Sequence, residues 1–144
     1  MWSLTHTGKW TIRIGNPCLR DKSPLAGGFL TGKFTSGGDI TGTRFDKGNK
    51  SGAYHQGWYD KPVMHSAVKK LQGMIRPLNL TLAEVSLRWL IYHSVLGEED
   101  GVILGGSKFE HIGGNVADIA KGPLEKAVVE ALDEMWLSVK DEAP

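Results

Sequence analysis

After Pro62 the apolar positions take on a helical spacing that the first 62 residues lack. Val63, Ala67, Leu71 and Met74 recur every three or four residues, with Val68, Ile75 and Leu78 beside them, which predicts an amphipathic helix. Pro77 should end it near Arg76, because the residue before a proline is pushed out of the helical region. Thr81 and Glu84 have the spacing of a capping box for a second helix. That helix carries Leu82, Val85, Trp89 and Leu90 on one broad face, widened by Leu87 and Ile91, so Trp89 reads as core. GVILG at 101–105 is short, β-branched and bounded by glycines, the pattern of a buried strand. Ser107 and Glu110 are placed to cap a third helix running to about Ala120. Pro123, behind Gly122, suits the first turn of a fourth, marked by Leu124, Val128, Leu132, Met135 and Val139.

The earlier residues read differently. Residues 1–22 form an irregular segment in which WTIRI at 10–14 alternates weakly enough to suggest one strand. Residues 23–62 are punctuated by GG at 27–28, SGGD at 36–39 and KGNKSG at 47–52, with no strong helical pattern. Loops of that length are uncommon in small domains and are functional or disordered. This one reads as a binding loop removed from a larger support. We therefore divide the chain into the segment 1–22 and a main domain, 23–144. The order helix, helix, strand, helix, helix indicates an α/β protein, yet one strand cannot cover four helices as a parallel sheet does. Cryptic strands in the first 60 residues would resolve this; the preferred expectation is that the chain is part of a larger fold.

Composition narrows the function. A chain of 144 residues has the size of one compact domain, with 40% hydrophobic and 23% charged residues, the balance of a soluble protein. Seventeen basic and sixteen acidic residues leave a net charge of +1, without the basic field of a nucleic-acid binder. The single cysteine, Cys18, has no partner for an intrachain disulfide and reads as an ordinary thiol. The opening MWSLTHTGKWTIRIG lacks an apolar run long enough for a secretory or membrane segment, so a cytoplasmic protein without a membrane partner is expected. Histidines and acids show no clustered ligand spacing, so no metal site is expected.

Two stretches carry candidate chemistry. In GVILGGSKFEHIGGN at 101–115, Gly105 and Gly106 remove side chains where backbone can approach a ligand. Ser107 and the following N–H groups belong to the unpaired first turn of a helix, which attracts anions, and Lys108 adds a point charge. The same letters also describe an ordinary strand–turn–helix with a capping serine. The spacing is not GxGxxG, and no acidic residue sits about twenty positions on at a strand end. In SPLAGGFLTGK at 23–33, Ser23 offers a hydroxyl, Pro24 stiffens the chain, and Gly27, Gly28 and Gly32 allow close backbone approach. A plain glycine-rich surface turn would look the same. GGFLTGKF lacks the hydroxyl after Lys33 that a P-loop needs. Arg44 in GTRF is a further cation with reach to an anionic group.

SPLAGGFLTGK, GTRF, TLAEVSLRWLIYHS and DGVILGGSKFEHIGGN, in that order, resemble the C-terminal part of aldo-keto reductases, and KGPLEKAVVEALDEMW at 121–136 is similar to the final helix of the aflatoxin-aldehyde-reductase branch and its fungal relatives. The resemblance covers about 23–139. It implies the C-terminal portion of a (β/α)8 TIM barrel, incomplete here, in an oxidoreductase that uses NADP(H) to reduce a small aldehyde or ketone. By that resemblance Ser23, Leu25, Gly27, Gly28 and Lys33 follow barrel strand seven, beside the cofactor diphosphate. Gly105, Gly106, Ser107 and Lys108 follow strand eight near the adenosine phosphate, and His111 and Asn115 face the adenosine end. Barrel enzymes do assemble phosphate sites from the loops after strands seven and eight. A role in fungal secondary metabolism is a further implication of the branch.

The departures set further expectations. His111 stands where the family commonly has glutamine or arginine, and Gly114 where a polar or acidic residue faces the adenine, so cofactor binding should be weakened. NPCLRDK at 16–22 replaces a buried apolar strand and is too charged and proline-marked to supply it convincingly. The family's catalytic tyrosine, lysine, aspartate and histidine come from the first half of the barrel. No catalytic residue is assigned to Tyr54, Tyr59 or Tyr92, nor to His6, His55, His65 or His93. The alternative to a reductase is therefore a noncatalytic remnant or partner-binding fragment, self-associating through apolar surface left exposed.

Overall fold

A computed structural model describes residues 20–97 and 100–144 together with the strand positions 3–4 and 10–11. It divides into two compact units, one made of residues 1–24 and 84–124, the other of 25–83 and 125–144.

In the first unit, β1 (Ser3–Leu4) pairs antiparallel with β2 (Trp10–Thr11), within the stretch where one weak strand was expected. β3 (Arg20–Lys22) runs parallel to β4 (Gly101–Ile103), Asp21 opposite Val102. This corrects two expectations. The charged end of NPCLRDK does form a strand, because a ladder is made by backbone N–H and C=O groups and charged side chains are common on edge strands. GVILG, in turn, is strand for only three residues and is not buried, with Ile103 55% exposed. Cys18 lies outside the described residues.

The helix α3 (Leu82–His93) starts directly after Thr81, and Val85, Leu87 and Leu90 are buried while Trp89 is only half-buried. Charge is buried with them. The Arg88 guanidinium donates to Glu84 Oε1 (2.7 Å), to the Gly122 carbonyl (2.7 Å) and to the Pro123 carbonyl (2.8 Å). Lys121 Nζ reaches the other Glu84 oxygen at 3.0 Å and Asp118 at 2.8 Å. Two cations thus face two carboxylates, so the desolvated Glu84 is paired on both oxygens. Tyr92 donates its hydroxyl to the Ile119 carbonyl at 2.9 Å, and the Leu124 N–H donates to His93 Nε2 at 2.9 Å. These bonds tie α3 to the end of α4 (Phe109–Ile119) and to the chain that follows it. They also explain why Pro123 does not begin the last helix. Gly122 turns the chain at φ 85°, Leu124 is engaged by His93, and α5 (Lys126–Val139) starts three residues beyond the proline, behind an extended Glu125.

In the second unit, α2 (Pro62–Ile75) packs against α5. Ala67, Val68, Leu71 and Ile75 are buried on α2 and Val128, Leu132 and Val139 on α5, as their periodicity marks; Met64, which the spacing did not mark, is buried too, whereas the marked Met74 is exposed. Burying each of the larger side chains contributes about 1.5–3 kcal/mol. α2 ends where Pro77 requires, passing into a 3-10 turn, Arg76–Leu78, closed by Asn79 at φ 55°. Lys61 donates to the Glu142 carbonyl at 2.7 Å and pairs with its carboxylate at 3.1 Å, tying the start of α2 to the chain beyond α5.

Residues 25–61, expected to be loop, contain more order than their spacing shows. A 3-10 segment, Ala26–Thr31, is followed by successive turns and by α1 (Gly52–Tyr59). What organises them is aromatic. Phe29 stacks on Tyr59 with ring centroids 5.2 Å apart, Phe34 stacks on Phe45 at 4.8 Å, and Phe29 and Phe45 are almost fully buried. Such pairs contribute beyond their buried area. α1 reads poorly in sequence because GAYHQGWY has two glycines and no apolar stripe; its Gly52 is required, since a Cβ there would collide with the Asp46 carbonyl oxygen.

Candidate functional site

The stretch from Leu25 to Lys33 owes its path to left-handed backbone. Ala26 (φ 50°), Gly27 (67°) and Gly28 (105°) follow one another, and Gly32 (77°) closes the segment. Three of these four are glycine, the residue that adopts such angles without penalty. Ala26, which lacks that freedom, is buried, as is Gly32. Side chains also crowd the glycines. A Cβ on Gly27 would lie 2.8 Å from the His55 ring, and one on Gly32 would lie 2.6 Å from Leu82 Cδ1. Gly28, by contrast, has open space where its Cβ would be. Backbone bonds fix the turn: Gly28 N–H and Leu30 N–H both donate to the Leu25 carbonyl, at 2.8 and 3.2 Å. The Thr31 hydroxyl donates to the Gly28 carbonyl at 2.7 Å. Lys33 projects from the end of this turn and is exposed. Ser23, in the other unit, is itself left-handed at φ 65°.

The stretch Gly105–Lys108 is built differently. All four residues are exposed, neither glycine has a left-handed φ, and Gly105 has nothing near its missing Cβ. Lys108, extended at φ −138°, is the residue before α4, and no side chain caps that helix end. The expected Ser107 cap is therefore absent. Its hydroxyl lies 3.4 Å from His111 Nδ1 one turn on, a contact at the limit of hydrogen bonding. The first-turn N–H groups at this end carry the partial positive charge of the helix, with Lys108 and His111 beside them. Asn115 is half-buried one turn further along. α4 buries no side chain at all; Phe109 is 84% exposed and Val116 54%.

Within its own unit, each stretch has features that suit a phosphate-bearing ligand. One has an ordered left-handed turn, open at Gly28 and ending in a lysine; the other has an uncapped helix end with a lysine and a histidine. The tyrosines have other roles. Tyr59 is buried against Phe29, and that burial pushes its phenol up to about 12. Tyr92 donates to Ile119, and Tyr54 is exposed beside Trp58, ring centroids 6.3 Å apart. Among the described residues no group of three or more His, Cys, Asp or Glu is placed to hold a metal ion, and no helix is long and apolar enough to cross a membrane.

Three residues that sequence reasoning left unassigned come together at the glycine-rich stretch. His65 Nδ1 lies 2.9 Å from the Thr35 hydroxyl and His65 Nε2 lies 3.1 Å from Asp60 Oδ1. Thirty residues separate Thr35 from His65, so no local motif reveals the pair.

Comparison with known proteins supplies the class. Residues 19–137 match the aldo/keto reductase family, and the chain belongs to that family. It is 35% identical over 137 residues to an aldo-keto reductase of Pseudocercospora fijiensis, covering 86% of this chain and 45% of the relative. It is 34% identical over 146 residues to aflatoxin B1 aldehyde reductase member 2 of Mus musculus, covering 89% of this chain and 39% of that protein. Aldo-keto reductase family 7 member A3 of Homo sapiens is 34% identical over 145 residues, with 89% of this chain and 43% of the human protein covered. The chain thus spans less than half the length of each of these relatives.

Proposed function

We propose that this chain is the NADP(H)-holding portion of a reductase of small aldehydes or ketones, in the aflatoxin-aldehyde-reductase branch of the family. The observation that carries this reading is the end of α4. A helix N-terminus without a side-chain cap follows two exposed glycines and carries Lys108, in a chain matching the family over residues 19–137. Bound there, NADPH supplies the hydride for the carbonyl carbon. Gly105, Gly106, Ser107 and Lys108 would hold the adenosine phosphate, with His111 and Asn115 toward the adenosine. Ser23, Leu25, Gly27, Gly28 and Lys33 would hold the diphosphate. The exposed apolar stripe of α4, Phe109 and Val116, is the kind of surface that the rest of a (β/α)8 barrel covers.

Residues 1–144 by themselves are proposed to bind without catalysing. Phosphate contacts act equally on ground and transition states, and uniform binding leaves the chemical barrier unchanged. Reduction also needs a positioned proton donor, and neither the buried Tyr59 nor Tyr92, bonded to Ile119, offers one. The test is titration of NADPH into the chain and its Lys108→Ala and Lys140→Ala variants at matched salt, since exposed charges are screened. Weaker binding in Lys108→Ala alone is expected; equal affinities in all three would reject the α4 site. NADPH loss and alcohol formation should both stay at the blank rate with a simple aldehyde.

A further inference from the structure

The glycine-rich stretch can present backbone donors and Lys33 to an anion only if its conformation is held, because ordering a free loop opposes binding. Turns within the stretch give it a shape but do not anchor it to a helix. Beside the Phe29–Tyr59 stack on α1, a polar anchor comes from α2. His65 touches the stretch and the two residues beyond it: its ring meets Phe29 and Phe34 edge-on, with centroids 5.4 and 5.2 Å apart, and its Nδ1 lies 2.9 Å from the Thr35 hydroxyl. Thr35 is 9% exposed, so its hydroxyl has little access to water and depends on this partner. Just upstream, the Lys33 carbonyl accepts from Gly38 N–H (3.1 Å) and from the Ser36 hydroxyl (3.1 Å), so Lys33 and Thr35 belong to one closed turn.

Asp60, at the junction of α1 and α2, sets the direction of the relay. Its carboxylate can only accept, so His65 Nε2 carries the hydrogen donated to it across 3.1 Å. In the neutral ring Nδ1 is then an acceptor, and the Thr35 hydroxyl donates to it. A carboxylate that orients a histidine, which in turn holds a third group, is how indirect partners fix geometry at ligand sites.

We propose that His65, oriented by Asp60, is a positioning residue that fixes the 28–38 segment through Thr35 and thereby sets its affinity for a phosphate-bearing ligand. The second half of this statement rests on the cofactor reading above; the first does not. The test uses the full chain with His65→Phe, which keeps an aromatic ring and removes both polar bonds, Thr35→Val, which removes the hydroxyl at constant volume, and His65→Asn, which places an amide oxygen near the Nδ1 position. Three readouts are taken: amide hydrogen exchange by residue, imidazole nitrogen shifts in the parent, and NADPH affinity.

The parent should show His65 Nε2 carrying the hydrogen shared with Asp60. His65→Phe and Thr35→Val should speed exchange across 28–38, leave the α2 and α5 core amides unchanged, and weaken NADPH binding about tenfold, the low end of what losing an orienting partner costs. His65→Asn should recover most of both effects, which a purely space-filling role for the ring would not allow. Unchanged exchange across 28–38 in His65→Phe overturns the proposal, as does faster exchange with parent-like NADPH affinity. A parent chain that binds no NADPH sinks the cofactor reading, and the exchange data alone then uphold or overturn the hold of His65 on the segment.

Discussion

Leu25–Lys33 and Gly105–Lys108 look alike as text, each a pair of glycines followed by a lysine, but their glycines differ in function. In the first, Gly27 and Gly32 are demanded by the fold: both are left-handed, and both would drive a Cβ into a neighbouring side chain. The segment rests on an aromatic cluster of Phe29, Phe34, Phe45 and Tyr59. In the second, Gly105 and Gly106 have no left-handed angle, Gly105 touches nothing, and the helix that follows buries no side chain. Glycine is thus structural at Gly27 and Gly32 and permissive at Gly105, while a Cβ on Gly106 would come within 3.0 Å of Ile112 and 3.2 Å of His111 and the Lys108 carbonyl oxygen. Gly28 in the first and Gly105 in the second leave open space where a Cβ would be, which is what close approach of a ligand to backbone would require.

The largest test of this contrast compares two phenylalanines. Phe29→Ala should destabilise the chain by about 3–5 kcal/mol, the cost of emptying a buried aromatic site, whereas Phe109→Ala, at 84% exposure, should stay within about 0.5 kcal/mol. Denaturant midpoints of both variants decide it. A small effect at Phe29 would mean that the aromatic cluster does not support the stretch.

A smaller difference is expected between two glycines. Gly32→Ala places a Cβ at φ 77° and 2.6 Å from Leu82 Cδ1, and should cost about 2 kcal/mol, roughly half from the left-handed angle. Gly105→Ala meets no atom within 4 Å and should be neutral or stabilising by a few tenths, through the unfolded chain. Thermal unfolding of the pair would reverse the assignment of roles if Gly105→Ala proved the more damaging.

The contrast was not legible in the sequence, and the reason is physical. Helical periodicity reports which face of an element is buried, so α2, α3 and α5 were readable from Val63 to Val139, and Pro77 marked a true helix end. It says nothing about groups that meet across long sequence separations by hydrogen bonding or ring stacking. The Thr35–His65–Asp60 relay and the Phe29–Tyr59 stack are of that kind, as are the carbonyls of Gly122 and Pro123 on Arg88. The relay and the aromatic stacks make an ordered segment of 25–61, where spacing alone gave only loop. β3 was missed for a related reason: its residues, Arg20–Lys22, pair through backbone, which leaves no signature in side-chain type. The two candidate stretches were located from local letters and the family resemblance, but the difference between them depends on angles and neighbours.

The loop below the aromatic cluster adds a pH test. Asp46 accepts from Gly42 N–H at 2.7 Å and from Gly48 N–H at 2.8 Å, and these bonds hold its carboxyl below its ordinary 3.8. A folded value below the unfolded one means that its stabilising contribution is complete above the unfolded value and is lost as pH falls through the folded one. Stability measured from pH 5 downward should therefore decline, and Asp46→Asn should flatten part of that decline. An identical acid limb in the variant would show that these two bonds do not persist in solution. No comparable carboxylate–backbone turn occurs among the described residues of Gly105–Lys108.

The smallest expected effect is at Ser107, and it bears most directly on the open stretch. A serine that caps a helix contributes about 1 kcal/mol, and its loss is seen plainly in a small domain. Here no side chain caps α4, and the Ser107 hydroxyl has only a 3.4 Å contact with His111 Nδ1. Ser107→Ala should therefore shift stability by no more than about 0.3 kcal/mol, the size of an ordinary surface change. If the hydroxyl is instead free for a ligand, the same variant should weaken NADPH binding severalfold, since a hydrogen bond to a charged phosphate contributes about 1.5–3 kcal/mol at most and less where water competes. Chemical denaturation and NADPH titration on one preparation separate the two roles. A loss near 1 kcal/mol with unchanged binding would restore Ser107 as a helix cap, and Gly105–Lys108 would then be an ordinary strand-to-helix turn.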